Sequence, residues 1–158
     1  GVAISEAIYS TFARNPYPGG LTYSGHPLAC AAAVATIRAM EDEDLVNRAA
    51  DLGERIIGPG LRALAAQHPW IGEVRGTGVF WALELVSDRT TREPLAPYGG
   101  SSPAMAAVVK ACHDGGMIPF SNFNRIHVVP PLNIPEADLR QGLEILDRAL
   151  RFAENQHA

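Results

Sequence analysis

Apolar positions along the chain follow two rhythms, one in each half. Up to about residue 67 they recur every three or four residues, the helical period. From residue 71 they gather into short runs punctuated by Gly and Pro, the habit of strands. The first run, Gly1 to Ile4, reads as the end of a buried strand, and Ser5-Glu6 then cap a short helix through Ala13. Asn15-Pro16-Tyr17-Pro18-Gly19-Gly20 concentrates turn residues, and the loop continues through Leu21-Thr22-Tyr23-Ser24-Gly25-His26 to Pro27, which suits the first turn of a helix. Leu28 to Met40 is alanine-dense and predicts a small-faced helix able to pack close to another backbone or another subunit. Acidic Glu41 to Asp44 separates it from a second helix beginning near Leu45, with Leu45, Val46, Ala49, Leu52, Ile56 and Ile57 in register. Gly58-Pro59-Gly60 interrupts that rhythm before Leu61, Leu64 and Ala65 resume it, which predicts a kink or a break there.

Beyond Pro69, Ile71 to Arg75 and Val79 to Val86 read as strands joined by Gly76-Thr77-Gly78. Asp88 to Ser102 reads as an exposed loop and Pro103 to His113 as a helix. Met117 to Phe120 and Arg125 to Val129 form a second strand pair, stopped by Pro130-Pro131. Pro135-Glu136 opens a last amphipathic helix with Leu139, Leu143, Leu146 and Leu150 on one face. The order strand, strand, helix, strand, strand, helix predicts an α/β or α+β layer in which helices cover one face of a small sheet. There is no internal repeat.

Composition narrows the class without naming a function. With 158 residues, 47% of them hydrophobic and 19% charged, the chain has material for a core, and disordered or collagen-like classes are excluded. A formal charge of -4 and the lack of a local basic patch argue against nucleic acid or an anionic membrane as partner. Cys30 and Cys112 are far apart and lack the spacing of a zinc site or a disulfide framework, as expected for the reducing cytoplasm. No apolar run approaches the roughly 20 residues that span a bilayer, and the start lacks the plan of a signal peptide. A chain that opens without Met inside an apolar run looks cut from something longer. Lys110 is the single lysine among thirteen basic residues.

Three features offer chemistry. The turn Gly19 to Gly25 leads into a helix start and carries the hydroxyls of Thr22 and Ser24, which suits a phosphate, although a plain capped turn explains the same residues. Arg125 and His127 are two apart on a strand and so share a face, where they would meet a substrate carboxylate or simply solvent. Gly76-Thr77-Gly78 is followed by a strand, which makes it a turn and not a nucleotide loop. The five histidines show no metal-ligand spacing, and His26 reads as a cap or packing residue.

The string Gly20-Leu21-Thr22-Tyr23-Ser24-Gly25-His26-Pro27, with the Ala-rich helix after it, closely resembles the "TYSGHP" segment of class III aminotransferases, which use pyridoxal 5'-phosphate. Val74-Arg75-Gly76-Thr77-Gly78 and Val128-Val129-Pro130-Pro131-Leu132-Asn133-Ile134 agree with the same family in order and distance, so nearly the whole chain is covered. The resemblance implies the C-terminal part of a fold-type-I enzyme: residues 1–26 the tail of the large cofactor-binding domain, 27–69 interdomain helices, and 70–158 the small domain. It implies a homodimer with shared active sites, in which Thr22 reaches across to the partner's cofactor phosphate and the backbone of Leu21, where family members often carry Phe, lines the same pocket.

In that family the lysine that forms an imine with the cofactor precedes the threonine motif, whereas Lys110 follows it and reads as a helix-surface residue. The resemblance therefore places the catalytic lysine upstream of Gly1, together with the aspartate on the pyridine nitrogen and the stacking aromatic, so that this chain alone would not transaminate. Some members bind a substrate carboxylate with an arginine on the strand before Pro-Pro; His127 stands in that place here, and Arg125 is the nearest arginine. The implied activity of the whole protein is transfer of an amino group from an amine or ω-amino acid to a keto acid. An aminomutase, or an inactive dimerisation or interaction module that kept the fold, is the alternative.

Overall fold

The computed structural model describes residues 2–20 and 22–157, which form two compact units, Gly1–Asp42 and Glu43–Ala158. The first unit holds α1 (Glu6–Arg14) and α2 (Pro27–Asp42). Ser5 caps α1, its hydroxyl accepting the Ile8 N–H. Neither helix buries a residue: Ile8, Tyr9 and Phe12 of α1 and Leu28, Val34 and Ile37 of α2 are all exposed. The buried strand expected over Gly1 to Ile4 is not formed over the described part of that run. Val2 and Ile4 are exposed and pair with no other strand, so the apolar run has no ladder to join.

The second unit begins with a helical rod, α3 (Leu45–Leu52) and α4 (Gly58–Gln67), joined without a break by a single wide π turn over Gly53–Ile57. The interruption expected at Gly58-Pro59-Gly60 is thus a widening that starts earlier. The Gly58 N–H bonds back to the Gly53 carbonyl, and Pro59, which has no N–H to give, falls in the first turn beyond it, where none is needed. Gly53 is also where the rod touches the sheet. A Cβ there would lie 2.7 Å from the carbonyl carbon of Gly78, in the hairpin turn.

The sheet consists of β1 (Ile71–Thr77), β2 (Phe80–Asp88), β4 (Phe120–Asn122) and β5 (Arg125–Val128) in the order β1-β2-β5-β4, all neighbours antiparallel. A two-residue β3 (Glu93–Pro94), inside the stretch expected to be loop, pairs with the end of β2. The β1–β2 hairpin turns at Gly78, whose φ of 53° favours glycine, and the Trp81 indole N–H donates to its carbonyl at 2.7 Å. Helices α5 (Pro103–Asp114) and α6 (Glu136–Gln156) complete the unit. Trp81, Leu83 and Leu85 of β2 and Ile126 of β5 alternate onto the buried face, where they meet Leu52, Ile56 and Leu61 of the rod, Val108 and Cys112 of α5, and Leu139, Leu146 and Leu150 of α6. This is the expected small sheet covered by helices on one face. Burial pushes the Cys112 thiol up to about 11, so it behaves as a small hydrophobe.

One polar node lies inside this apolar layer. His68, at the end of α4 and only 1% exposed, places Nε2 2.8 Å from Asp147 and Nδ1 2.8 Å from Glu154, both on α6. Glu154 also accepts the Trp70 N–H at 3.3 Å, and Arg151 lies 3.1 Å from Asp147. Each ring nitrogen thus has a carboxylate partner on α6, and Arg151 neutralises charge on one of them. The His68 hydrogen bond, assisted by Arg151, holds the Asp147 carboxyl below its ordinary 3.8. Arg89, just past β2, donates to the carbonyls of Ala65, His68 and Ile71, capping α4 and fixing the start of β1.

Removing the ring strands two carboxylates against an apolar layer, so His68→Ala is expected to lower stability by about 3 kcal/mol in urea unfolding of the full chain. Asp147 has a lowered folded-state pKa, so its contribution is complete above its ordinary value and is lost as pH falls through the lowered one. The stability gap between wild type and Asp147→Asn should therefore close on acidification below 3.8, and a gap that persists unchanged would show that the ionised carboxylate is not its source. Two glycines give opposite signs. Gly53→Ala drives a Cβ into Gly78 backbone and should cost about 2 kcal/mol. Gly142→Ala, inside α6 with only the Met117 sulfur nearby at 3.9 Å, should gain about 1 kcal/mol by thermal unfolding.

Candidate functional site

The first group of predicted site residues belongs to the loop that enters α2. Thr22, Tyr23 and Ser24 form an exposed turn, Gly25 takes a φ of 70°, and the His26 N–H closes the turn on the Tyr23 carbonyl at 3.1 Å. The His26 carbonyl then accepts the Cys30 N–H at 2.9 Å, and its ring lies 5.5 Å from that of Tyr23. His26 therefore packs and caps, as its position before Pro27 suggests. Nothing stands within 4 Å of a Cβ built on Gly20 or Gly25, so the backbone at these two glycines is uncrowded. Leu21, the other residue expected to line a cofactor pocket, lies outside the described residues.

These groups fit one part of a pyridoxal phosphate. Exposed hydroxyls at Thr22 and Ser24 on a glycine-flanked turn at a helix start suit a phosphate. They supply no amine for the aldehyde carbon. Lys110 sits on the exposed side of α5, with its ammonium 2.6 Å from Asp114 one helical turn away.

The second group lies on the sheet face opposite the core. Ile126 points into the core, so Arg125 and His127 flanking it point the other way, as their spacing predicts. Arg125 stands opposite Glu84 of β2 and Asn122 of β4, while His127 stands between Ala82 and Phe120. Two aromatic rings bracket the imidazole edge-on, Phe120 at 5.1 Å and Phe80 at 6.4 Å. His127 also borders an apolar cleft of about 310 Å³ walled by Phe120, Pro130, Pro131, Ile134 and Leu143. Thr22 is in one compact unit and the Arg125–His127 pair in the other.

Further along this face runs a charge ladder that the sequence did not reveal. Arg75 reaches Glu73 at 3.1 Å and Glu84 at 2.9 Å, and Arg92 reaches Glu73 at 2.7 Å. Arg92, and Arg75 after it, hold the Glu73 carboxyl below its usual range. The ladder occupies Glu84, the carboxylate facing Arg125, so among the described residues Arg125 makes no ion pair. Pairing register brings these side chains together from separate strands. Alternation along each strand gives only the face, which is why the ladder and the aromatic bracket were not legible beforehand.

Comparison with known proteins assigns the class. The family "Aminotransferase class-III" matches residues 2–150, and the chain belongs to that family. It is 39% identical over 142 residues to 4-aminobutyrate aminotransferase GabT of Escherichia coli (strain K12), covering 87% of this chain and 32% of that protein. It is 37% identical over 159 residues to a taurine–pyruvate aminotransferase of Rhodobacter capsulatus, covering 93% of this chain and 34% of that protein. Among solved structures, taurine:2-oxoglutarate aminotransferase from Bifidobacterium kashiwanohense, in complex with PLP and glutamate, superposes with a TM-score of 0.89 at 34% identity over 96% of this chain and 34% of that one. The chain therefore spans about a third of the length of the relatives it matches, and its mixed helix and antiparallel-sheet fold is a part of the aminotransferase architecture.

Proposed function

We propose that this chain is the C-terminal part of a pyridoxal-phosphate-dependent aminotransferase of the cytoplasm that moves an amino group from an amine or ω-amino acid to a keto acid. The observation that carries the reading is the exposed Thr22 turn, with open glycines on both sides and a helix start behind it, in a chain whose family match runs almost end to end. Within this reading residues 1–26 end the cofactor-binding domain, 27–69 connect the domains, and 70–158 form the small domain. The uncovered apolar positions of α1 and α2 support burial against the rest of a homodimer.

Pyridoxal phosphate, when bound, supplies the electron sink on which the amino group is exchanged. Thr22 donates its hydroxyl to a phosphate oxygen, across the dimer interface, and the Leu21 backbone lines the same pocket. Arg125 offers a guanidinium edge to a carboxylate of donor or acceptor, and His127, held between Phe120 and Phe80, borders the same face. In this reading the amine that takes and returns the reacting proton comes from a lysine outside this chain, because the family's lysine precedes the threonine motif and Lys110 follows it on an exposed helix face.

The lack of a lysine ahead of the Thr22 motif in this chain is also what favours the second reading, an inactive dimerisation or interaction module. The two part on a spectrum. Full-length protein loaded with cofactor should lose its imine absorbance on adding an amine donor and yield a carbonyl product. No bleaching with any amine and no keto product overturns the transaminase reading, whereas bleaching with the amino group returned to the same substrate marks an aminomutase.

Thr22→Ala in the full-length dimer should weaken cofactor retention on dialysis, since a hydrogen bond to a charged group contributes about 1.5–3 kcal/mol, roughly ten- to a hundredfold in Kd. Unchanged retention would count against Thr22 as a phosphate ligand.

A further inference from the structure

The turn joining β4 to β5 breaks a local rule. Asn122, Phe123, Asn124 and Arg125 form a tight hairpin closed by the Asn122–Arg125 pair, and Phe123 occupies the left-handed region at a φ of 56°. Asparagine and glycine enter that region readily, and a bulky aromatic does not. Asparagines stand on both sides of Phe123, yet the residue at the strained position is the phenylalanine. Backbone strain of this kind persists where the surroundings hold it and where it serves a site. Here the Asn124 amide donates to the Leu85 carbonyl at 3.0 Å and the Leu85 N–H donates to the Asn124 carbonyl at 2.7 Å, which pins the turn to β2.

The strained backbone brings the ring to two neighbours. The Arg125 guanidinium carbon lies over the Phe123 ring at 6.0 Å from its centroid, and the Tyr98 ring lies 4.8 Å away, tilted by 55°. Tyr98 sits at the corner of a turn in which the Gly100 N–H donates to the Pro97 carbonyl at 3.0 Å, and Tyr98 itself is 91% exposed, so its ring contributes little to the core. The carboxylate opposite Arg125, Glu84, is taken by Arg75 and Arg92. A guanidinium over an aromatic ring is attracted to the ring face, which restrains the side chain and leaves N–H groups to pair with a planar carboxylate.

We propose that Phe123 and Tyr98 are positioning residues that restrain Arg125 for the carboxylate of the substrate, and that this cluster sets a preference for carboxylate-bearing donors over neutral amines. The inference rests on the reading that Arg125 faces the substrate.

Its test uses the full-length holoenzyme and the donor half-reaction without keto acid, so that no second carboxylate interferes. 5-Aminopentanoate is compared with pentylamine for wild type, Arg125→Ala, Phe123→Asn, Phe123→Tyr and Tyr98→Ala, with unreactive pentanoate titrated calorimetrically and Tm recorded for each. Phe123→Asn keeps the turn, because asparagine accepts the left-handed conformation, and removes the ring. It should raise the half-saturating 5-aminopentanoate concentration about three- to tenfold, weaken pentanoate binding by the same factor, leave pentylamine and the maximal rate unchanged, and hold or raise Tm. Tyr98→Ala should move the same parameters less, and Phe123→Tyr should behave as wild type. If Arg125→Ala removes the preference and Phe123→Asn does not, the positioning role is overturned while Arg125 keeps its place at the substrate. If Phe123→Asn slows both donors alike, the ring serves the fold alone and the proposal fails. If Arg125→Ala itself leaves the preference intact, the reading of this face fails and the proposal with it.

Discussion

His68 is the buried polar group around which the larger unit is arranged. An imidazole inside an apolar layer is tolerable only while both nitrogens keep their hydrogen-bond partners, and both partners are carboxylates of α6. That requirement fixes the end of α4 against α6, and Arg89 ties the same helix end to the first residue of β1. With α4 and β1 located, the β1–β2 hairpin has little freedom left. Its turn comes to rest on Gly53, where the absence of a side chain lets backbone meet backbone. An apolar surface alone would allow these elements to slide, whereas charge-assisted hydrogen bonds with directional geometry select one arrangement.

The consequence for function is a division between the two faces of the sheet. The buried face has no residue to spare, since Leu83, Leu85 and Ile126 are fully occupied by helices. The other face is free of packing duty and carries Arg125, His127, their aromatic neighbours and the Glu73–Arg75–Glu84–Arg92 ladder. A ladder whose charges satisfy one another leaves an adjacent arginine available to an anion from outside. Strain at Phe123 falls beside that arginine, the place where local propensity yields to something other than stability.

The first unit poses a different physical case. Its helices are regular, and Ser5 caps α1, yet they bury nothing within the unit. Helices of 9 and 16 residues gain little from propensity alone, so apolar positions such as Ile8, Phe12, Val34 and Ile37 need a partner surface. The family match continues through both helices.

Read alone, the chain already determined its helices, the β1–β2 hairpin and β5, the helical cover on one face of the sheet, the turn at Gly78 and the shared face of Arg125 and His127, because side-chain period and turn chemistry are local properties; the short β3 and the place of β4 depended on pairing. The Thr22 string carried the family resemblance, because that motif is built from consecutive residues. Tertiary structure decided what depends on register and on contacts between distant segments. Among these are the pairing of His68 with carboxylates 79 and 86 residues away, the conversion of an expected helix break into a π turn, and the occupation of Glu84 by Arg75 and Arg92. It also decided the stacking of Tyr98 on Phe123, 25 positions apart in the numbering. Periodicity says which way a side chain points, and only the folded chain says what it meets there.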